Sequence, residues 1–231
     1  MTSVRLSNAL KTINSDAFGY CSSLTAVTIP EGVTTIDGYA FESCTSLTSI
    51  TIPNTATIIG SSAFRNCRAL TGIRIPDSVT RIGNYAFFGC TNLTVATLGS
   101  GLTTIYDDAF YNCNALANVN SMATTPPTIN YWTFATSTFN NAVLRVPQNS
   151  VEDYQTAEYW KRFANIVALE GCGPGDVNGD GRLSISDVTG LIDAILSGYA
   201  ETLCGPYADV YGDGRFNITD VTTLINALLV N

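Results

Sequence analysis

Apolar residues return along this chain at a fixed step of 23. Ile13, Ile36, Ile59, Ile82 and Ile105 hold one position of the step, and Leu24, Leu47, Leu70, Leu93 and Leu116 hold another. Ala-Phe pairs recur at 17/18, 40/41, 63/64, 86/87 and 109/110, and Cys21, Cys44, Cys67, Cys90 and Cys113 keep the same interval. A fixed period of this size predicts a solenoid, because one coil cannot bury its apolar face alone and must stack on the next. Within the unit from Ser22 to Cys44, Leu24, Val27 and Ile29 alternate with small polar residues and read as a short strand pointing inward. Pro30 and Gly32 turn the chain, Val33 and Ile36 form a second extended piece, and Ala40, Phe41 and Cys44 close the coil. The expected fold over 1–120 is a mainly β solenoid of about 23-residue coils, wound right-handed, with parallel strand stacks.

Past that point the pattern changes. Residues 114–141 lose the period, and Pro126-Pro127 breaks it. Ala142 to Pro147 reads as a last strand, and Ser150 with Asp153 three residues on reads as a capping box at a helix start. Tyr154, Tyr159, Trp160 and Phe163 follow; such aromatics more often seal the open end of a solenoid than form a ligand platform. Residues 121–170 are therefore expected to be a cap. The repeat unit resembles the BspA-like leucine-rich repeats, the leucine-rich repeat 5 type, over about residues 6–120. The run Val146-Pro147, Tyr154, Trp160, Phe163-Ala-Asn-Ile166 is similar to the closing segment often found after such repeats in gut bacterial proteins. The resemblance implies a secreted or cell-surface protein.

The C-terminal end carries a different pattern, a pair of near-copies. Asp176-Val-Asn178-Gly-Asp180-Gly181-Arg182-Leu-Ser184-Ile-Ser-Asp187 is followed 33 residues later by Asp209-Val-Tyr211-Gly-Asp213-Gly214-Arg215-Phe-Asn217-Ile-Thr-Asp220. Side-chain oxygens fall at loop positions 1, 3, 5, 9 and 12, with Gly at position 6 where the chain must turn sharply. Each loop runs into an apolar segment of helical period. Hard oxygen donors at these offsets, twice over, point to two Ca²⁺ sites. Position 12 is Asp in both copies where the usual loop has a bidentate Glu, and Gly and Pro precede each loop in place of an entering helix. Residues 174–231 resemble a type I dockerin, a small α-helical calcium-binding module that docks onto a cohesin domain. The resemblance carries the ligand role to Asp176, Asn178, Asp180, Ser184 and Asp187, and to Asp209, Asp213, Asn217 and Asp220, with backbone carbonyls from Arg182 and Arg215. Tyr211 stands where the family has Asn, so the second site is expected to bind more weakly. Loop positions 10 and 11, often a Ser/Thr pair in the family, are Ile185-Ser186 and Ile218-Thr219, with Ile192-Asp193 and Ile225-Asn226 at the corresponding helix positions. The apolar pair is expected to meet a different kind of cohesin, or to pack within the molecule. The module is assigned to 171–231.

Charge follows this division. Eight of the 19 acidic residues but two of the 11 basic ones fall in 171–231, so the excess is mostly calcium ligands. Nothing basic and clustered suggests a nucleic-acid partner. No apolar run reaches membrane-spanning length. The first repeat, Val4 to Cys21, is incomplete, the expectation for a chain whose leader and earlier repeats lie upstream. The five ladder cysteines read as small buried thiols in equivalent slots, since the chain has no His and the spacing is coil-to-coil rather than ligand-like. Cys172 and Cys204 precede the two loops, and whether they are bridged stays open.

A chain without His cannot build Ser-His or Cys-His nucleophiles. The carboxylate pairs Asp107-Asp108 and Glu152-Asp153 sit on adjacent residues, where they more often face solvent at a turn or helix start than flank a glycosidic bond. The expectation is a non-catalytic binding or scaffold protein, with repeats for recognition of a protein or glycan and a dockerin for attachment to a cohesin-type partner. Two alternatives are an accessory part of a polysaccharide-degrading complex and a host-matrix adhesin. The outward strand positions are Thr25, Ala26 and Thr28, then Thr48, Ser49 and Thr51, then Thr71, Gly72 and Arg74, then Thr94, Val95 and Thr97. They are small and polar, and Arg74 is the one strong contact candidate among them.

Overall fold

The structure, a computed structural model, describes residues 3–169, the helical positions Ile185, Val188, Thr189, Leu191 and Ile192, and residues 218–230. The chain divides into two compact units, Met1–Ala168 and Leu169–Asn231.

The first unit is a repeat fold of stacked coils, each with two short strands. One series comprises β1 (Ser3–Arg5), β3 (Ala26–Thr28), β5 (Ser49–Thr51), β7 (Gly72–Arg74), β9 (Val95–Leu98) and β11 (Asn118–Ser121). The other comprises β2 (Thr12–Ile13), β4 (Thr35–Ile36), β6 (Ile58–Ile59), β8 (Arg81–Ile82) and β10 (Thr104–Ile105). Strands pair in parallel with their equivalents in neighbouring coils, as in Val27↔Ile50 and Ile36↔Ile59, except between β5 and β7, where the first series divides. Parallel pairing follows because every coil returns the chain to the same starting edge. The strands form one three-stranded sheet, β1-β3-β5, and two five-stranded ones, β2-β4-β6-β8-β10 and β7-β9-β11-β12-β13, where β12 is Val143–Val146 and β13 is Asn165–Ala168. Strand alternation sends Val27 inward while Ala26 and Thr28 face out.

Three ladders hold the coils in register. Phe18, Phe41, Phe64, Phe87, Phe110 and Phe134 form a column of parallel rings with centroids 5.0–5.4 Å apart. Beside it the cysteines are free thiols, Cys44 to Cys113 buried and Cys21 half-buried. They do more than fill space. Cys44, Cys67, Cys90 and Cys113 each donate an S–H to the carbonyl of Phe18, Phe41, Phe64 and Phe87 at 3.1–3.2 Å. Those carbonyls have a second lone pair that the turn hydrogen bonds leave over, and the thiol fills it. On the surface, Thr34, Thr57, Thr80 and Thr103 each donate a hydroxyl to the carbonyl 23 residues earlier. At the closing turn, Tyr20, Ser43, Asn66, Gly89 and Asn112 all have positive φ. The first four give their N–H to the carbonyl of the next coil, which holds the left-handed backbone in place.

The coils run on where the sequence period fades. Phe134 stacks on Phe110 with a step of 24 rather than 23, and Thr128 bridges Thr104 just beyond Pro126-Pro127. One extra residue hides the repeat from a fixed-period reading without breaking the stack. The end is then closed by a short helix α1 (Thr136–Asn141), a second helix α2 (Val151–Thr156) and the turn Trp160–Arg162. Tyr154, Trp160 and Phe163 are buried here, with Phe163 edge-on to Phe134 at 5.4 Å. The Trp160 indole N–H donates to Pro127 O at 2.7 Å, and the Tyr154 hydroxyl pairs with Ser121 Oγ at 2.7 Å. Burial pushes the Tyr154 phenol up to about 12. Ser150 does not cap α2: its hydroxyl donates to Thr124 O at 2.8 Å, and no side chain caps that helix. The expected capping box is replaced by a tie from the cap to the last coil.

In the second unit, helix α3 spans Ile218–Val230. Val221 and Leu224 are buried and Ile218 and Leu229 exposed, the period of a helix with one covered face. The positions 33 residues earlier behave alike, Val188 and Leu191 buried and Ile185 exposed.

Candidate recognition face and calcium module

The sheet β7-β9-β11-β12-β13 sets its outward side chains in register rows. Gly72↔Val95↔Asn118↔Val143↔Asn165 is one row and Arg74↔Thr97↔Asn120↔Arg145↔Val167 the next. Arg74 is half-buried in its row. Among the described residues the one ion pair joins Arg65 to Glu42 at 3.5 Å, so the charge of Arg74 is not neutralised by any carboxylate there. Arg145 comes from the last strand of the fading pattern, and register places it in the same row, three strands away. One of its N–H groups donates to Asn118 Oδ1 at 2.7 Å. Between the two arginines, Asn120 buries its Oδ1 with no hydrogen-bond partner. An unsatisfied buried acceptor costs about 1–3 kcal/mol. No Asp or Glu lies on any of these five strands. The earlier sheet, β1-β3-β5, offers Ala26, Thr28, Ser49 and Thr51 outward and a single arginine, Arg5, in register with Thr28 and Thr51.

Arg74 was legible in the sequence; Arg145 was not, because its coil no longer keeps the period. A second feature also went unread. The residues after the fourth and fifth column Phe, Phe88 and Tyr111, are aromatic and half-buried at the turn. Phe88 and Tyr111 lie 6.1 Å apart, and Tyr111, Trp132 and Tyr131 continue edge-to-face at 5.9 and 4.7 Å. Arg65 sits 5.5 Å over Phe88 at one end, and Arg162 sits 4.1 Å over Tyr131 at the other. The signal was the step of 23 from Phe88 to Tyr111, one residue beside the ladder already counted.

The carboxylate pairs hold structure. Asp107 accepts a hydrogen bond from the Asn130 amide, and its N–H donates to Asn84 Oδ1 at 3.1 Å. Asp108 occupies a positive-φ turn position, where burial lifts its carboxyl against a hydrogen bond from Tyr85. Glu152 and Asp153 stand exposed in the first turn of α2, where acids favour the positive helix end.

Of the twelve candidate calcium ligands, Asp176, Asn178, Asp180, Arg182, Ser184, Asp187, Asp209, Tyr211, Asp213, Arg215 and Asn217 lie outside the described residues. Cys172 and Cys204 lie outside them too. Asp220 is in the first turn of α3, so the second loop passes directly into a helix. The donor set is wholly hard oxygen, which fits Ca²⁺. Among the described residues no group of three or more metal-binding side chains occurs.

The parallel coils and their inward ladders define a leucine-rich-repeat protein. The BspA type leucine rich repeat region matches residues 11–144 in six copies, more than half of the chain, and the chain belongs to that family. The dockerin type I domain matches residues 174–229. Among solved structures, a leucine rich cell surface protein from Faecalibacterium prausnitzii is 33% identical with a TM-score of 0.51, covering 52% of this chain and 32% of its own. The pneumococcal vaccine antigen PcpA shares the fold at 19% identity and a TM-score of 0.59, covering 73% of this chain and 41% of its own. The chain thus spans well under half the length of either structure. No curated protein matches it. Both matched modules are non-catalytic binding modules, and type I dockerin domains bind calcium.

Proposed function

We propose that this chain is a non-catalytic scaffold of the cell exterior, in which a leucine-rich-repeat solenoid recognises a ligand and residues 171–231 attach it to a cohesin. The single observation that carries this is the pairing of the two matches on one chain, repeats over 11–144 and dockerin over 174–229. The solenoid supplies a broad outward sheet; the dockerin supplies a calcium-dependent plug. Residues 121–170 close the stack between them. Two Ca²⁺ ions are held, the first through Asp176, Asn178, Asp180, Ser184 and Asp187, the second less tightly because Tyr211 replaces a small oxygen donor. Ile185 and Ile218 are 78% and 70% exposed at loop position 10, which supports an apolar contact to the cohesin where other dockerins offer hydroxyls. The dockerin also favours a setting among polysaccharide-degrading proteins assembled on a cohesin scaffold.

Capture on a panel of immobilised cohesins, with calcium and with chelator, tests the attachment. Retention by at least one cohesin, lost on chelation, is the expected result. Failure against every cohesin, or retention that ignores calcium, would end this half of the proposal.

A further inference from the structure

We propose that the outward face of the five-stranded sheet binds an acidic polysaccharide, a chain bearing uronate carboxylates, held between Arg74 and Arg145. This rests on the reading that the repeats are a recognition surface, and gives that surface a ligand class. The chain has 19 acidic and 11 basic residues, yet β7, β9, β11, β12 and β13 carry two arginines and no acid. A cationic strip on an acidic molecule concentrates anions locally. The two arginines stand three strands apart in one row, roughly 14 Å at the ordinary strand spacing. A single carboxylate cannot meet both, whereas a chain with carboxylates at intervals can, and each guanidinium fork matches a carboxylate in two parallel hydrogen bonds.

The groups between the arginines narrow the class further. Half-buried Asn120 lies in the row, beside the buried Thr97, and half-buried Asn118, whose Oδ1 accepts from Arg145, lies in the neighbouring row. Hydroxyl and amide side chains both donate and accept, which suits sugar hydroxyls. An acidic peptide would ask for an apolar pocket to seat an anchoring side chain. The outward apolar residues here are Val95, Val143 and Val167, each short and set beside polar neighbours.

Calorimetry on the full chain at low ionic strength tests this with polygalacturonate as probe, against neutral dextran and polyglutamate. Polygalacturonate is expected to bind, dextran not to bind, and polyglutamate to bind at least about ten-fold more weakly. Arg74→Gln and Arg145→Gln are each expected to lower polygalacturonate affinity by about five- to ten-fold with the melting temperature unchanged. Arg81→Gln, on the other sheet, leaves affinity as it was. Any of four results overturns the proposal: no binding of polygalacturonate, equal binding of dextran, polyglutamate bound as tightly, or full affinity in the Arg74→Gln/Arg145→Gln double variant. Loss confined to Trp132→Ala would place the site on the turn aromatics and overturn it as well. If a different ligand is found whose affinity Arg74→Gln weakens, the recognition reading survives while the polysaccharide one falls.

Discussion

At the scale of the residue, the ladder cysteines are the clearest case of a side chain with two duties. Each is small enough for the coil interior and donates to a carbonyl whose second lone pair the turn hydrogen bond leaves over. Burial pushes the Cys44 thiol up to about 11 from its ordinary 9.0, and Cys67 and Cys90 upward more strongly. The fold therefore favours the neutral thiol. That contribution is complete below pH 9.0 and is lost as pH rises from there toward about 11. Stability followed by urea titration is expected to be flat from pH 7 to 8.5 and to fall above 9; a flat profile to pH 11 would remove the thiols from the account. Ellman's reagent is expected to leave the buried ladder thiols untouched in the native chain. Gly60 is constrained in another way. A Cβ there would lie 2.5 Å from the backbone nitrogen of Gly38, so Gly60→Ala forces two coils apart. The expected loss is about 1–3 kcal/mol by chemical denaturation, and none if the coils part freely.

At the scale of the element, the sequence revealed the coil and concealed its end. Leu24, Val27, Ile29, Val33 and Ile36 could be placed inward from alternation and period alone, and all are buried. The sixth coil escaped because a single inserted residue moves Phe134 off the step, and a period is all that such reading has to work with. Arg145 was lost with it, and register across a sheet is not visible in a one-dimensional pattern. Ser150 shows the opposite error: its spacing to Asp153 fits a local cap, but a carbonyl brought in from Thr124 by the fold competes for the hydroxyl and wins. The cap itself carries a prediction. Trp160→Ala removes a buried ring with its hydrogen bond to Pro127 and is expected to cost about 3–5 kcal/mol. A loss below about 1 kcal/mol would show that the stack does not need its seal. In the second unit, Ile218→Asp on the exposed side of α3 is expected to abolish cohesin capture while the repeats melt as before. Undiminished capture would place the cohesin contact elsewhere.

At the scale of the whole molecule, the two units answer to different forces. The repeats are held by apolar ladders, whereas residues 171–231 crowd eight acids into a small module whose repulsion a bound cation relieves. Calcium at a hundred times its dissociation constant stabilises the folded module by about 2.7 kcal/mol. Chelation is expected to lower one calorimetric transition and leave the other in place, and Asp176→Ala is expected to do more damage than Asp209→Ala. A single transition blind to chelator, or the reverse ranking, would show that the loops or their order are misread. The regular stacking has one consequence for what the molecule can measure. Its ring column advances by 5.0–5.4 Å per coil, and positions on its surface are spaced by whole multiples of the same step. The stack is thus a gauge with fixed graduations, and two charges set on it select a rigid polymer by the interval between its own charges. Moving the first arginine one graduation along, in the exchange Arg74→Thr with Thr97→Arg, shortens that interval without altering composition, and should shift preference toward more densely charged chains.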